Sequence, residues 1–391
     1  MLVYESIALT VVAYWVLYAL TPWASRRGKV TYTALAFVVH VPWLLLRVWR
    51  IPLRSFIAFA AGSWVFACLL CVVVGLPLLL LRLGWRIGKR LTSDVGTREA
   101  FIDEGRRQVL GSLALPAVAY SLGGAGAIGG VSDFVVVRME LRLRNWPRSL
   151  DGFRIGQITD THVGDFISSD TIARAVDVLN DSGAHLHVMT GDLVDNLTYL
   201  ESTFAALERC RAPYGMLAVL GNHEKMQHRL QPMLSAYAAR RGRGLVRLLV
   251  DETEIIKHNG VDLRVIGVDY PMHVNGNHFL RKPERLVLMR HSAETAFAKM
   301  QAVDEPLICL SHHPDFFPLA AERNVSLTLS GHTHGGQIAL GGKPLFSMYD
   351  YMLGHYQLGQ SHLYVSGGTG HWLPYRYGVP TEVTVITLRS A

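Results

Sequence analysis

Residues 325–337 read VSLTLSGHTHGGQ, a short apolar segment that runs into two histidines, His332 and His334, and then into two glycines. Glycine lets the backbone turn tightly and pass close to a ligand, and imidazole is the commonest metal-binding side chain. The stretch therefore predicts a metal-binding turn. The remaining ligands of such a site have to come from other parts of the chain.

Four more polar motifs follow short apolar segments after residue 150. From about residue 135 such segments alternate with helix-like polar stretches, which is typical of an α/β domain. The segments interpreted as strands are residues 135–143, 153–159, 187–190, 216–220 and 307–310. The motifs that follow the last four are Asp160-Thr161-His162, Gly191-Asp192-Leu193-Val194-Asp195, Gly221-Asn222-His223-Glu224 and Ser311-His312-His313-Pro314.

The side chains in these motifs offer oxygen and imidazole ligands and no thiolate. Such a set suits divalent Mn, Fe or Zn, and ligands at the ends of several strands converge on one edge of an open α/β sheet. There are too many ligands for one ion. The economical interpretation is a pair of divalent ions about 3.5–4 Å apart with a bridging carboxylate.

The order Asp-x-His, Gly-Asp-x-x-Asp, Gly-Asn-His-Glu, His and Gly-His-Thr-His resembles that of the calcineurin-like metallophosphoesterase family, over roughly residues 150–390. The resemblance extends to the membrane-attached bacterial branch of that family. It implies an α/β fold, the calcineurin-like αββα sandwich, preceded by an N-terminal transmembrane helical region. It also implies a metal-dependent phosphoric ester hydrolase.

The resemblance also implies a role for each motif residue. Asp192 would bridge the two metals, His223 would protonate the leaving oxygen or otherwise steady the transition state, and Asp195 would support His223. The other metal ligands would be Asp160, His162 and His334 for one ion and Asn222, His312 and His332 for the other.

The mechanism implied is in-line attack on phosphorus by a metal-bound hydroxide, with no covalent enzyme intermediate. A metal-binding sensor or scaffold without turnover is the alternative. The presence of His223 argues against it, because a pure binding module has no need of an acid beside the metals.

The composition indicates a membrane protein rather than a nucleic-acid-binding protein. Apolar residues make up 50% of the chain and charged residues only 18%, and the net charge is +7. Many arginines cluster between apolar runs, which the positive-inside rule explains. The sequence has neither an RNA-binding signature nor zinc-finger spacing, so nucleic acid is not expected as a partner.

Four apolar runs, residues 6–23, 30–46, 56–81 and 109–131, are candidate membrane spans. The second is the weakest candidate, because a span needs about 20 residues and this run is shorter. It also contains His40 and Pro42. We therefore predict a membrane region over residues 1–131 with three to four transmembrane helices. A metallophosphoesterase domain is predicted over residues 135–391.

If the basic segments 26–29 and 82–107 are cytoplasmic, four spans place the catalytic domain outside the cytoplasm. With the resemblance to the bacterial branch, this implies an integral protein of a bacterial inner membrane with an extracytoplasmic catalytic domain. Arg47, Arg50 and Arg54, in an intervening loop, count against this orientation. A transporter is disfavoured, because the apolar runs contain no acidic residue to line a path.

The anchor suggests a substrate in or near the membrane, either a phosphodiester or a lipid-linked phosphate ester. The family resemblance makes a nucleotide-activated glycolipid such as UDP-diacylglucosamine one candidate. That substrate is met at the cytoplasmic face, which conflicts with the predicted orientation.

Other motif-like residues have simpler interpretations. Cys68-x-x-Cys71 is interpreted as two small apolar residues of a membrane helix rather than a redox motif. Gly276-Asn277-His278 repeats the letters of a ligand motif without a preceding strand and is interpreted as a loop. His313 is expected to line the cleft or be exposed, and the later histidines to be surface or packed residues: His355, His362 and His371.

Overall fold

A computed structural model of the chain describes residues 2–20, 30, 33–34, 55–92, 118–119, 121–122 and 134–391, except 165, 241–245, 275–279, 299–304, 346 and 372–374. The chain divides into two compact units. The first is Met1–Val131 with Leu373–Tyr377, and the second is Ser132–Trp372 with Gly378–Ala391. The predicted membrane location of the first unit stays a prediction.

The first unit contains the helices α1 (Leu2–Leu20) and α2 (Ser55–Thr92). Within α2, Ser63–Leu81 has a mean hydropathy of 2.8 over 19 residues. At 1.5 Å per residue it reaches about 28 Å, close to the thickness of a bilayer's hydrocarbon core. Helix α1 carries a shorter apolar segment, Ile7–Leu17. The predicted runs 30–46 and 109–131 lie almost wholly outside the described residues, so the number of spans stays a prediction.

The two cysteines of α2 pack inside the first unit. The side chains of Cys68 and Cys71 are fully buried in a cluster with Ala13 and Trp64. The indole Nε1 of Trp64 donates a hydrogen bond to Thr10 Oγ1 at 2.9 Å, which ties α2 to α1. This packing supports the interpretation of Cys68 and Cys71 as small apolar helix residues.

The second unit alternates strands and helices, as the sequence predicts. Its helices are α3 (Ser169–Asp181), α4 (Leu200–Leu207), α5 (Asn222–Lys225), α6 (Leu230–Arg240), α7 (Lys282–Phe297) and α8 (Phe317–Ala321). Its strands are β1 (Val135–Leu143), β2 (Phe153–Ile158), β3 (Leu186–Met189), β4 (Met216–Ala218), β5 (Val246–Leu248), β6 (Glu252–His258), β7 (Val261–Gly267), β8 (Leu307–Leu310), β9 (Leu327–Ser330), β10 (Ala339–Leu340), β11 (Lys343–Pro344), β12 (Gly354–Leu358), β13 (Ser361–Val365) and β14 (Glu382–Ser390).

The predicted strands are confirmed, with small changes at their ends. β1 and β8 have the predicted bounds, whereas β2 and β4 end one and two residues early and β3 starts and ends one residue early. Thr159 and Thr190 leave the sheet because the backbone turns there into the loops that carry the polar motifs.

In the part of the chain that is described, the strands form two mixed sheets and a small hairpin. One sheet has the order β1–β14–β2–β3–β4–β5, and the other has the order β12–β13–β9–β8–β7–β6. In the first, β2, β3, β4 and β5 are mutually parallel, and in the second β7, β8, β9 and β13 are. β10 and β11 pair only with each other.

Three apolar layers hold the second unit together. Ile155 and Val188 of the first sheet and Ile308 and Leu329 of the second are fully buried between the sheets. On the outer face of the first sheet lie α3, α4 and α6, and on that of the second lie α7 and α8. This order of layers is the αββα sandwich that the family resemblance implied.

Helix α3 shows how the local sequence produces one of these layers. Ile172, Val176 and Leu179 recur on one face and are fully buried against the first sheet. Ser168 precedes the helix, and its hydroxyl accepts a hydrogen bond from the Thr171 N–H at 3.4 Å, which caps the first turn.

Candidate metal centre

The polar motifs meet at one edge of the sandwich, where parallel strands of both sheets end. The loops after β2, β3 and β4 come from the first sheet, and the loops after β8 and β9 come from the second. Carboxyl ends of parallel strands point the same way, so their loops share one edge. Residues up to 174 positions apart in the chain, Asp160 and His334, thereby become neighbours: His334 Nε2 lies 3.3 Å from Asp160 Oδ1.

Asp160, His162 and His334 form one group of converging ligand atoms. His162 Nε2 lies 3.0 Å from His334 Nε2 and 3.9 Å from Asp160 Oδ1. All three side chains are buried. The sequence placed these residues in one predicted ligand set, and the fold brings them together.

Asp192, His312 and His332 form a second group. His312 Nε2 lies 3.2 Å from Asp192 Oδ2 and 3.3 Å from Asn222 Oδ1, so the asparagine joins it. Asp192 Oδ2 is also 3.7 Å from His162 Nε2 of the first group. Asp192 therefore lies between the two groups, where a bridging carboxylate is needed.

Hydrogen bonds on the far side of two imidazoles show that this cluster suits metal ions. His162 Nδ1 lies 3.1 Å from the Asp195 carboxylate, and His312 Nδ1 lies 2.6 Å from the Thr190 carbonyl oxygen. Because both partners only accept, each Nδ1 carries a hydrogen, and each Nε2 faces the other ligand atoms. Each Nε2 is therefore placed to bind a metal ion in place of a proton.

The charge in the cluster points the same way. Burial by itself lowers the pKa of His312, but the carboxylates of Asp192 and Asp160 outweigh burial and raise it to about 10. The two carboxylates thus favour a positive charge at the position of His312. Divalent ions held by oxygen and nitrogen ligands supply that charge.

Five of the predicted ligands have a left-handed backbone, which only glycine adopts readily. The φ angles are 50° for Asp160, 47° for His162, 56° for Asp192, 73° for His332 and 49° for His334. Each such conformation costs on the order of 1–3 kcal/mol and is typically found at functional sites. The strain aims the side chains at a common point, and the sequence carried no signal for it.

Asp195 connects His162 to His223. His223 Nδ1 lies 2.5 Å from Asp195 Oδ1, the same oxygen that faces His162. Burial by itself lowers the pKa of His223, but Asp192 and Asp195 outweigh it and raise the pKa to about 9. His223 is therefore protonated near neutral pH, and its side chain is 20% exposed, which makes it more open than the buried ligands.

Comparison with known proteins identifies this arrangement. The calcineurin-like phosphoesterase family model matches residues 153–336, a range that contains every predicted site residue. The chain carries a calcineurin-like metallophosphoesterase domain. Its family implies a metal-dependent phosphoester hydrolase with a centre of two divalent metal ions, and this domain is such an enzyme.

Three relatives illustrate the range of similarity. The uncharacterized metallophosphoesterase YkuE of Bacillus subtilis is 29% identical over 252 residues, covering 62% of this chain and 82% of YkuE. A transmembrane protein with metallophosphoesterase domain from Danio rerio is 26% identical over 372 residues, covering 88% of this chain and 81% of the relative. Phosphodiesterase YaeI of Escherichia coli is 34% identical over 87 residues, covering 21% of this chain and 32% of YaeI.

Glu224 is a residue of the metallophosphoesterase domain whose role the sequence analysis did not identify. Its buried carboxylate accepts hydrogen bonds from the backbone N–H groups of Asp192 at 3.0 Å, Leu193 at 2.6 Å and Gly221 at 2.7 Å. It therefore fixes the loop after β3 against the loop after β4. The signal was present as the last letter of the Gly-Asn-His-Glu motif.

Two tyrosines around His332 were also not predicted. The Tyr349 hydroxyl lies 2.9 Å and the Tyr270 hydroxyl 3.3 Å from His332 Nε2.

Lys225, next to Glu224, donates from Nζ to the Tyr270 carbonyl at 2.8 Å and to Asp269 at 2.5 Å. The lysine thus holds the loop after β7, a strand that the sequence analysis did not recognise.

The other histidines differ in where they lie. Of the two alternatives expected for His313, exposure is wrong: the residue is 1% exposed, and its ring centroid lies 5.0 Å from that of His332 beside the site. His355 and His362 pair with each other on β12 and β13, with Nε2 and Nδ1 2.9 Å apart. His371 is buried, and Gly276-Asn277-His278 lies outside the described residues.

Proposed function

We propose that this chain is a membrane-anchored phosphodiesterase that acts on a phosphate ester at a membrane surface. The observation that favours catalytic turnover over metal sensing is the contact between His223 and Asp195 beside the two ligand groups. A sensor needs the metal ligands, but it does not need a partly open, protonated imidazole next to them.

The ligand assignment follows the two groups. Asp160, His162 and His334 would hold one ion, Asn222, His312 and His332 would hold the other, and Asp192 would serve both. When bound, the two ions supply an activated water and neutralise charge on the phosphoryl oxygens.

His223 supplies the proton for the leaving oxygen. Asp195 accepts the hydrogen bond from its Nδ1, so the proton on Nε2 is the one available for transfer. The His223 backbone is held on both sides: its N–H donates to Asp192 Oδ1 at 2.8 Å, and its carbonyl accepts from Arg229 at 3.1 Å.

The proposal of a lipid-linked diester rests on the membrane features. Ser63–Leu81 is long and apolar enough to span a bilayer, and one relative is named a phosphodiesterase and another a transmembrane protein. We place the domain outside the cytoplasm of a bacterial inner membrane, with a lipid-linked ester of that face as substrate. A nucleotide-activated glycolipid such as UDP-diacylglucosamine is the candidate for the opposite orientation.

Hydrolysis of two test esters by the full chain, purified with added Mn, checks the ester class. We expect bis-p-nitrophenyl phosphate, a diester, to be hydrolysed with a higher kcat/KM than p-nitrophenyl phosphate, a monoester. A preference for the monoester would contradict the diester assignment. Two bound metal ions per chain without turnover of either ester would favour the sensor.

A change of His223 to asparagine tests the proton donor. We expect His223→Asn to lower kcat by about 10²–10⁴-fold for diphenyl phosphate, whose leaving group is basic, and much less for bis-p-nitrophenyl phosphate. His355→Asn, a change in the histidine pair of β12 and β13, is the matched control. Equal losses on both esters would show that His223 only supports the structure.

A further inference from the structure

We infer that the segment of residues 338–345 and 347–348, called here the rim hairpin, contacts the surface of a lipid bilayer. It contains β10 and β11 and carries three large apolar side chains in water: Leu340 is 56%, Leu345 51% and Met348 73% exposed. Single exposed apolar residues are common, but three within nine residues on one short segment indicate a binding surface. The inference rests on the membrane attachment proposed above.

Both ends of the rim hairpin are fixed to the metal centre. On one side it begins two residues after the His334–Gly336 turn. On the other side Tyr349 follows it directly and lies 2.9 Å from His332 Nε2. The Leu345 N–H donates to the Ile338 carbonyl at 2.8 Å and closes the loop. A surface that binds the rim hairpin is therefore held close to the site.

Helix α7 adds apolar surface beside the rim hairpin. Lys282 Nζ lies 2.5 Å from the carboxylate of Asp350, two residues beyond the rim hairpin, which joins the start of α7 to the chain just after this segment. Leu286 is one turn further along α7 on the face of Lys282, and it is 38% exposed. Leu286 thus lies about one helical turn from the contact that joins α7 to the chain just after the hairpin.

The charge of the rim hairpin favours a lipid bilayer as its binding partner. Residues 338–348 include no Asp or Glu, and their one charged residue, Lys343, is exposed beside the turn glycines Gly341 and Gly342. Apolar side chains next to lysine are typical of segments that lie at an anionic lipid surface. With two residues each, β10 and β11 offer little edge for a strand of a second copy to pair with.

This contact narrows the substrate class of the proposed enzyme. A lipid-linked ester keeps its acyl chains in the bilayer and exposes its phosphate at the lipid–water boundary. With the rim hairpin at that boundary, the metal centre meets the phosphate without extraction of the lipid.

Quenching by brominated lipid tests the contact. The full chain with Met348→Cys carries the fluorophore NBD on the new thiol, since the native cysteines Cys68, Cys71, Cys210 and Cys309 are all buried. It is reconstituted into vesicles of phosphatidylcholine and phosphatidylglycerol in equal parts, with or without brominated acyl chains. The matched control is Leu358→Cys, which replaces a 46% exposed leucine at the end of β12.

We expect brominated lipid to quench the label at position 348 several-fold more strongly than the label at position 358. Lys343→Glu should reduce this quenching in the anionic vesicles and leave it unchanged in pure phosphatidylcholine. Equal quenching at the two positions would overturn the inference. So would a label at position 348 that becomes less accessible to solvent as the protein concentration rises, because that would indicate contact with a second copy of the chain.

Flotation of the same samples separates this inference from the proposed function. A chain that does not float with the vesicles would refute the membrane attachment. A chain that floats and resists alkaline extraction, with an unquenched label at position 348, would refute the hairpin contact alone.

Discussion

Replacing Asp192 with asparagine should lower kcat for phosphodiester hydrolysis by about 10³-fold, which corresponds to about 4 kcal/mol. Asp192 Oδ2 lies 3.2 Å from His312 Nε2 and 3.7 Å from His162 Nε2, so its charge serves both ligand groups. Asparagine has nearly the same size and keeps an oxygen for the His223 N–H, but it is neutral. The loss is therefore one of charge rather than of packing.

The measurement is kcat together with the number of metal ions bound per chain after dialysis. We expect the variant to retain fewer than the two ions of the unchanged protein. Asp177→Asn is the control, because Asp177 is a partly exposed carboxylate on α3 that pairs with Arg209. An Asp192→Asn protein with two tightly bound ions and full activity would refute the bridging role.

Replacing Gly331 with alanine should lower kcat/KM by about 10²-fold or more, because a small displacement of a catalytic group has effects of that size. A Cβ at this position would overlap the Asp160 carboxylate and the Thr159 side chain. Neither neighbour moves easily. Thr159 Oγ1 donates to Asp160 Oδ2 at 2.7 Å, and Asp160 accepts the His332 N–H at 2.9 Å.

Thermal unfolding and kinetics of the Gly331→Ala protein check this result. We expect a loss of stability of about 1–3 kcal/mol from overpacking, with weaker metal binding at the Asp160 group. Gly367→Ala is the matched control, since a Cβ there meets its nearest atoms at 3.3–3.5 Å, an ordinary to slightly tight contact. Normal metal binding and activity in Gly331→Ala would mean that the loop after β9 yields at little cost.

Several parts of the structure were predictable because they depend on local patterns. β8 was predicted with its bounds because its four residues are apolar and buried on both faces of the sheet. The αββα arrangement and the hydrolase class were implied by the resemblance that five motifs in a specific order carry, and the family match confirms both. The predicted ligands were named from the family resemblance of their motifs, and all of them lie in the two groups or beside them.

Other parts depend on contacts between distant segments and had no local signal. β14 enters the first sheet between β1 and β2, parallel to one and antiparallel to the other, although about 230 residues separate it from β2. Tyr270 and Tyr349 reach His332 only because the loop after β7 and the end of the rim hairpin come together. A residue pattern reports which faces are apolar, but it does not report which strands become neighbours.

The sequence by itself determined the chemistry of the centre: two imidazoles after a short strand, carboxylates and an amide after others, and an apolar region that precedes them. Residue type and spacing suffice for this, because donor atoms and hydrophobic periods are properties of the chain. Only the tertiary structure decided that Asp192 lies between the two groups, that Gly331 leaves room for Asp160, and that five of the predicted ligands take left-handed backbone conformations. Those features arise where loops from two packed sheets meet, and packing across the whole domain supplies the free energy that holds them there.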